Sequence, residues 1–417
     1  MQGLRARVCP AYHFSRPILI ACILTMPLTG CSWLIHGDQW PQWRGPNRDG
    51  VSHEMGWSSD WPADGPPVLW KVELGTGFSA PTTRDGRVYC LGNRDEMDIV
   101  YCLDAQTGRE IWRYKYPCAT YDKQHEGGPS ATPFVDRRVV YTLSKAGEVH
   151  AIDARTGHHI WSRSFTPEIG KLNVDYGCCA SPLVVDDRLI INIGRVHVLK
   201  KTTKEIIWSS EELGEAFSSP MVVRREGEDI LVCLNLKGLF LFRLSDGKQL
   251  GHHLSERHKS ICGATPIILG DKLFLTCTGG SEIYGIGAGN ELKLLSESST
   301  FGNSFSTPVL WRGHLYGFNQ AANQLQCIDP ESREARWSED GLGNGTLTVA
   351  GGKLIIMSES SELIVAEATP EGFETLAQMQ VLGGKCWTTP VLVNKRIYCR
   401  NSDGELVCVD VSDQAAR

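Results

Sequence analysis

The chain has 417 residues, 41% hydrophobic and 22% charged, a globular composition that excludes a disordered or fibrous protein. Its net charge is −6, and −9 without Arg5, Arg7 and Arg16, the only charged residues among the first thirty. So acidic a chain lacks the basic surface needed to neutralise nucleic-acid phosphates. No run of eighteen apolar residues occurs, so the sequence offers no candidate for a membrane-spanning helix.

The three arginines precede the apolar stretch Ile18 to Leu28, which is followed by Thr29, Gly30 and Cys31. A basic region, about ten apolar residues and a small-residue site describe a secretory signal peptide over residues 1–30. Leu28-Thr29-Gly30-Cys31 resembles a bacterial lipobox, which implies lipidation of Cys31 and a membrane-anchored envelope protein facing the periplasm or exterior. Simple secretion is the alternative. Residues 31–65 then read as a tether and lead-in.

From residue 66 onward the chain repeats. A Ser/Thr-Pro signature, or Ser-x-Pro in the first copy, recurs at Pro81, Pro133, Pro182, Pro220, Pro266, Pro308 and Pro390, with a proline-free copy at Thr346-Leu347-Thr348. The mean step is about 44 residues, the size of a four-stranded propeller blade. Each unit continues with short strands and closes on a turn and a strand ending in Trp. Asp104 to Trp112 and Asp153 to Trp161 share the pattern Asp-Ala-x-Thr-Gly-x-x-Ile-Trp, Asp329 to Trp337 keeps the spacing, and Lys200 to Trp208 keeps it without Asp or Gly. Asp and Gly suit a tight turn with positive φ. The tryptophans Trp70, Trp112, Trp161, Trp208 and Trp337 supply large apolar areas that pack one sheet against the next.

The last unit supplies three strands, and the chain stops one residue before the position of its Trp. Pro67 to Leu74, with Trp70, has the alternation of the missing fourth strand. The expectation is therefore an all-β, eight-bladed β-propeller over residues 66–417, its ring closed by an N-terminal strand that completes the last blade. A monomer is expected.

The repeat resembles the PQQ-type repeat of quinoprotein propellers, and Trp40-Pro-Gln-Trp43-Arg-Gly-Pro looks like the lead-in of a group of bacterial PQQ-binding-like propellers. Two kinds of protein share this repeat. One is the BamB-type lipoprotein of outer-membrane β-barrel assembly, a non-catalytic scaffold without cofactor. The other is the PQQ-dependent alcohol and sugar dehydrogenases. The resemblance implies a fold more firmly than a chemistry, since function resides in the site. The favoured expectation is an envelope scaffold binding a protein partner or small ligand at the channel mouth. A PQQ- and Ca²⁺-dependent dehydrogenase and a polysaccharide-binding module are the alternatives; the last would require exposed aromatics on the lip.

The dehydrogenases hold Ca²⁺ through oxygen ligands beside the quinone and use an Asp as base. No Glu–Asn–Asp set can be assigned to matching positions, so neither a catalytic nor a metal-ligating residue is named. Cys178-Cys179 lies just before Ser181-Pro182 at a channel-mouth position; quinone stacking, a vicinal disulfide and free buried thiols all remain open for it. Twenty-one residues separate Trp112 from Pro133 and Trp161 from Pro182, against eleven or twelve at Trp70–Pro81 and Trp208–Pro220. These two long loops carry Tyr121, His125, Glu126, Asp175 and Tyr176, a candidate binding lip with Cys178 and Cys179. A two-residue Asp403-Gly404 turn would set Cys399 opposite Cys408, with Cys90 and Cys102 equivalent in the first blade, and a strained disulfide is conceivable at each.

Overall fold

The computed structural model describes residues 39–122, 125–169, 176–254 and 261–413. Its strands form eight sheets in a ring, each built on four antiparallel strands. Blade 1 holds Thr82–Arg84, Arg87–Arg94, Met97–Asp104 and Glu110–Pro117 from the axis outward. Blades 2 to 7 repeat this order, with innermost strands beginning at Phe134, Leu183, Met221, Ile267, Val309 and Thr346. Blade 8 takes Val391–Val393, Arg396–Arg400 and Glu405–Asp410 from the end of the chain, and its outermost strand is Val68–Glu73. The pairing is antiparallel and places Trp70 opposite Cys408.

Burial follows from this geometry. The middle strands have neighbouring blades on both faces, so Arg87–Arg94 is buried along its length apart from its ends. The outermost strand Glu110–Pro117 alternates, with Trp112 and Tyr116 buried between exposed neighbours.

The blade-end tryptophans are wedges between sheets. Each indole Nε1 donates to a carbonyl in the turn of the following blade: Trp70 to Ala105 (3.2 Å), Trp112 to Ala154 (3.0 Å), Trp161 to Lys201 (3.1 Å), Trp208 to Leu244 (2.9 Å) and Trp337 to Thr369 (2.7 Å). The turn glycine does two things. Gly157 has φ +76°, and a Cβ there would stand 2.7 Å from Cδ2 of Trp112; Gly108 stands in the same relation to Trp70. Asp104 Oδ1 fixes the turn by accepting from the backbone of Gln106 and Thr107. Blades 4, 5 and 7 place Gly251, Ser296 and Ala377 at the Trp register, so the wedge is not universal.

Residues 39–54, within the stretch expected as a tether, lie across the axis. Trp40 pairs with Thr83 of blade 1, Pro41 accepts from Val135 of blade 2, and Arg48 donates to Pro182 before blade 3. Arg44 donates to the carbonyls of Thr307 and Pro308 at blade 6 (2.8 and 2.9 Å). Val51 runs parallel to Val349 of blade 7, and the Glu54 carboxylate accepts from the backbone of Asn394 and Lys395 in blade 8.

The cysteine register differs from expectation. Cys408 faces Tyr398, Cys399 faces Val407, Cys90 faces Tyr101 and Cys102 faces Tyr89. The turn after Arg400 is longer than two residues because Asn401 Oδ1 gathers the N–H groups of Gly404 and Glu405. The members of each pair fall on opposite faces of their sheet, in different core clusters, and remain thiols. The disulfide is instead Cys262–Cys277, which ties the loop before blade 5 to that blade's second strand.

Candidate binding site at the ring mouth

The Ser/Thr-Pro signature proves to be a stitch between blades. At four of the eight blade junctions the residue before the proline donates its N–H to the hydroxyl of its counterpart in the next blade: Ala80 to Thr132 (3.1 Å), Thr132 to Ser181, Ser181 to Ser219 and Thr265 to Thr307 (each 2.9 Å). The proline that follows carries no N–H, so none is left unpaired there. This partial belt runs across blades 1 to 4 and again from blade 5 to blade 6, and fixes the loops just above it.

Three residues before each proline, the chain turns to the axis. Phe78, Ser130, Cys179, Phe217, Gly263, Phe305 and Trp387 occupy this position, and all seven line one cavity of about 150 Å³. Its floor is the Trp43 indole, whose Nε1 donates to Thr265 (3.1 Å). His125 and Tyr176 from the two long loops fill the wall beside the small Ser130 and Cys179. A continuous arc of rings results: Phe217–Tyr176 (5.8 Å between centroids), Tyr176–His125 (5.6 Å), His125–Phe78 (4.9 Å), Phe78–Trp387 (5.8 Å) and Trp387–Phe305 (6.0 Å).

The cup is electrostatically quiet. Burial, reinforced by the positive charge of Lys145, pushes the His125 pKa down to about 4, so the imidazole is neutral at pH 7. Its Nδ1 accepts from Gly127 N–H (3.0 Å). Glu126 accepts from Lys385 Nζ (3.0 Å), joining the loop before blade 2 to the loop before blade 8, and that ammonium sits 4.6 Å from the Trp387 ring centre. Lys145 Nζ is committed to the Tyr176 carbonyl (2.9 Å).

Of the expected lip residues, His125, Tyr176 and Cys179 reach the cup, and Glu126 holds the rim. Cys178 is buried behind the wall, where desolvation pushes its thiol pKa up. Tyr121 stands on the loop without lining the cavity, and Asp175 and Cys31 lie outside the described residues. Both thiols of the Cys178-Cys179 pair are free, and Cys179 Sγ lies 3.6 Å from the Tyr176 carbonyl. Phe78, Phe217, Phe305 and Trp387 escaped the sequence reading, although their fixed offset from the proline was visible there.

A family model described as outer membrane protein assembly factor BamB matches residues 96–339, more than half of the chain. The chain belongs to the BamB family. The outer membrane protein assembly factor BamB of Moranella endobia is 21% identical over 322 residues, 73% of this chain and 80% of that protein. The quinohemoprotein alcohol dehydrogenase ADH-IIG of Pseudomonas putida is 31% identical over 132 residues; the match covers 30% of this chain and only 17% of the enzyme. The crystal structure of the quinohemoprotein alcohol dehydrogenase of Comamonas testosteroni superposes with a TM-score of 0.69 at 13% identity, over 90% of this chain and 81% of that one, a likeness of fold.

A Ca²⁺–quinone pair needs flat partners and a set of oxygen ligands. The cup supplies the first and not the second. Among the described residues no carboxylate lines it, and no three His, Cys, Asp or Glu side chains are placed to hold a metal ion. The donor set does not fit the group.

Proposed function

We propose that the chain is a non-catalytic scaffold of the bacterial envelope, anchored through Cys31, that binds a protein partner in outer-membrane protein assembly at the mouth of its ring. The observation that carries this reading is the chemistry of the cup. It offers six aromatic rings in an arc, one of them the neutral His125, and among the described residues neither a carboxylate base nor a metal-ligating set lines it. Such a wall suits binding; dehydrogenation would need a base near the reacting carbon. The family match points the same way, and function is argued here from the site because the same propeller also serves enzymes.

Two measurements test it. Purified chain incubated with PQQ and Ca²⁺ and then desalted should carry no quinone absorbance and reduce no dye with alcohol. A photo-crosslinker at Tyr121 should yield adducts with an outer-membrane assembly protein in the native envelope. Alcohol-dependent dye reduction would overturn the reading.

A further inference from the structure

A second cavity of about 220 Å³ opens beside the cup, with Phe305 and Trp387 lining both. Their rings are parallel to within 4°. Beyond them the wall changes character to amide and hydroxyl, with Gln320, Asn344 and Thr346. A third space of about 450 Å³ continues outward past Glu359, bordered by Asn323 and Ser360. The three make a groove leading from the axis across blades 6 to 8.

The charges along this groove are already committed. Glu359 Oε1 accepts from the Trp387 indole (3.2 Å) and its Oε2 from Asn344 N–H (3.0 Å), so the carboxylate orients the ring. Lys385 is paired with Glu126. The Asn344 side-chain oxygen, by contrast, is buried with no hydrogen-bond partner, an acceptor whose desolvation is uncompensated. The groove thus combines flat apolar rings, planar amides and hydroxyls, with no charge left for a ligand.

That combination matches a pyranose. A sugar ring has an apolar C–H face that lies on an aromatic ring, and an edge of hydroxyls or acetamido groups that pair with amides. A uronic or sulfated glycan would find no counter-charge. We propose that this groove binds an uncharged oligosaccharide, one sugar face resting on Trp387 and Phe305 and its hydroxyl or acetamido edge facing the amide and hydroxyl wall of Gln320, Asn344 and Thr346. The groove shares Phe305 and Trp387 with the cup, but the sugar reading does not depend on the scaffold reading.

The test uses the full chain. Chitotetraose, cellotetraose and tetragalacturonate are titrated separately by calorimetry and tryptophan fluorescence, alongside an apolar tetrapeptide. At least one neutral tetrasaccharide should bind saturably, and Trp387→Ala should weaken it by about tenfold or more. Phe305 is 48% exposed, so Phe305→Ala keeps the fold and should weaken binding in the same direction. Absence of binding by both neutral sugars at millimolar concentration, preference for the charged sugar, binding of the peptide alone, or undiminished sugar affinity in Phe305→Ala would each overturn the proposal.

Discussion

The Trp112 indole and Gly157 share one space: an added Cβ on Gly157 would lie 2.7 Å from Cδ2 of Trp112, while the indole Nε1 reaches past it to the Ala154 carbonyl. The relation joins blade 1 to blade 2 and defines how the repeat propagates. At this turn glycine serves the neighbour's ring as well as its own positive φ, whereas the turn under Trp161 carries Lys204 at φ +59° in the same place.

Trp112→Ala should therefore destabilise the ring by about 3–5 kcal/mol, through lost burial and an empty wedge. Gly157→Ala should cost about 1–3 kcal/mol, from overpacking and a positive φ. The double variant should be less destabilised than the sum, because removing the indole removes the clash. Urea denaturation of the four proteins gives the coupling energy; strict additivity would disprove the shared-space account.

The hydroxyl belt gives a second expectation. Thr132→Val keeps the shape but leaves the buried Ala80 N–H without its acceptor. A loss of about 1–3 kcal/mol is expected, measured by the denaturant midpoint at unchanged slope. Ser130→Ala, at the cup wall beside the belt, should change stability by much less.

These two features explain why so much of the architecture was legible. The Asp-to-Trp spacing and the Ser/Thr-Pro step are local, and each encodes a contact that recurs between neighbouring blades. Trp70 could be assigned to blade 8 because its alternation and its distance to Pro81 matched the other wedges. The cup was not legible in the same way. Phe78, Phe217, Phe305 and Trp387 look unremarkable singly, and only ring closure brings residues from distant loops onto one axis. The lead-in was hidden for a similar reason: only ring closure brings backbone carbonyls of blade 6 to Arg44 and the Pro182 carbonyl before blade 3 to Arg48. The cysteine register failed on one residue, since Asn401 widens a turn that the Asp-Gly pair alone would have made tighter.

Arg44 is the next test. Its guanidinium is buried and donates to Arg48 and Asp49 of its own segment and to Thr307 and Pro308 of blade 6. Burial pulls its pKa down to about 10, still charged at neutral pH. Arg44→Met removes the donors and leaves four carbonyls to find water. A loss of about 3 kcal/mol or more is expected, together with faster proteolysis of residues 39–54. An unchanged melting profile would show that the lead-in is dispensable to the ring.

Two histidines give the fold a pH dependence of defined sign. Burial pushes the pKa of His150 and of His125 down to about 4, below the unfolded value near 6.5. Between those values the unfolded chain binds protons that the folded chain refuses, so stability falls as pH drops from 6.5 towards 4. Asp98 acts oppositely. Burial raises its pKa to about 6, so the folded chain keeps a proton there that the unfolded chain releases, and below pH 6 this offsets part of the loss. His150 is almost fully buried against Tyr116, with ring centroids 4.0 Å apart, and dominates; His125 is half-buried and contributes less. The decline should set in near pH 6.5 and continue to about pH 5, at less than about 1.4 kcal/mol per pH unit for each histidine because Asp98 offsets part of it. Denaturation at pH 7.0, 6.0, 5.0 and 4.5 measures it, and His150→Gln should flatten the slope whatever it does to stability at pH 7. A slope unchanged in that variant would mean that the acid sensitivity arises elsewhere.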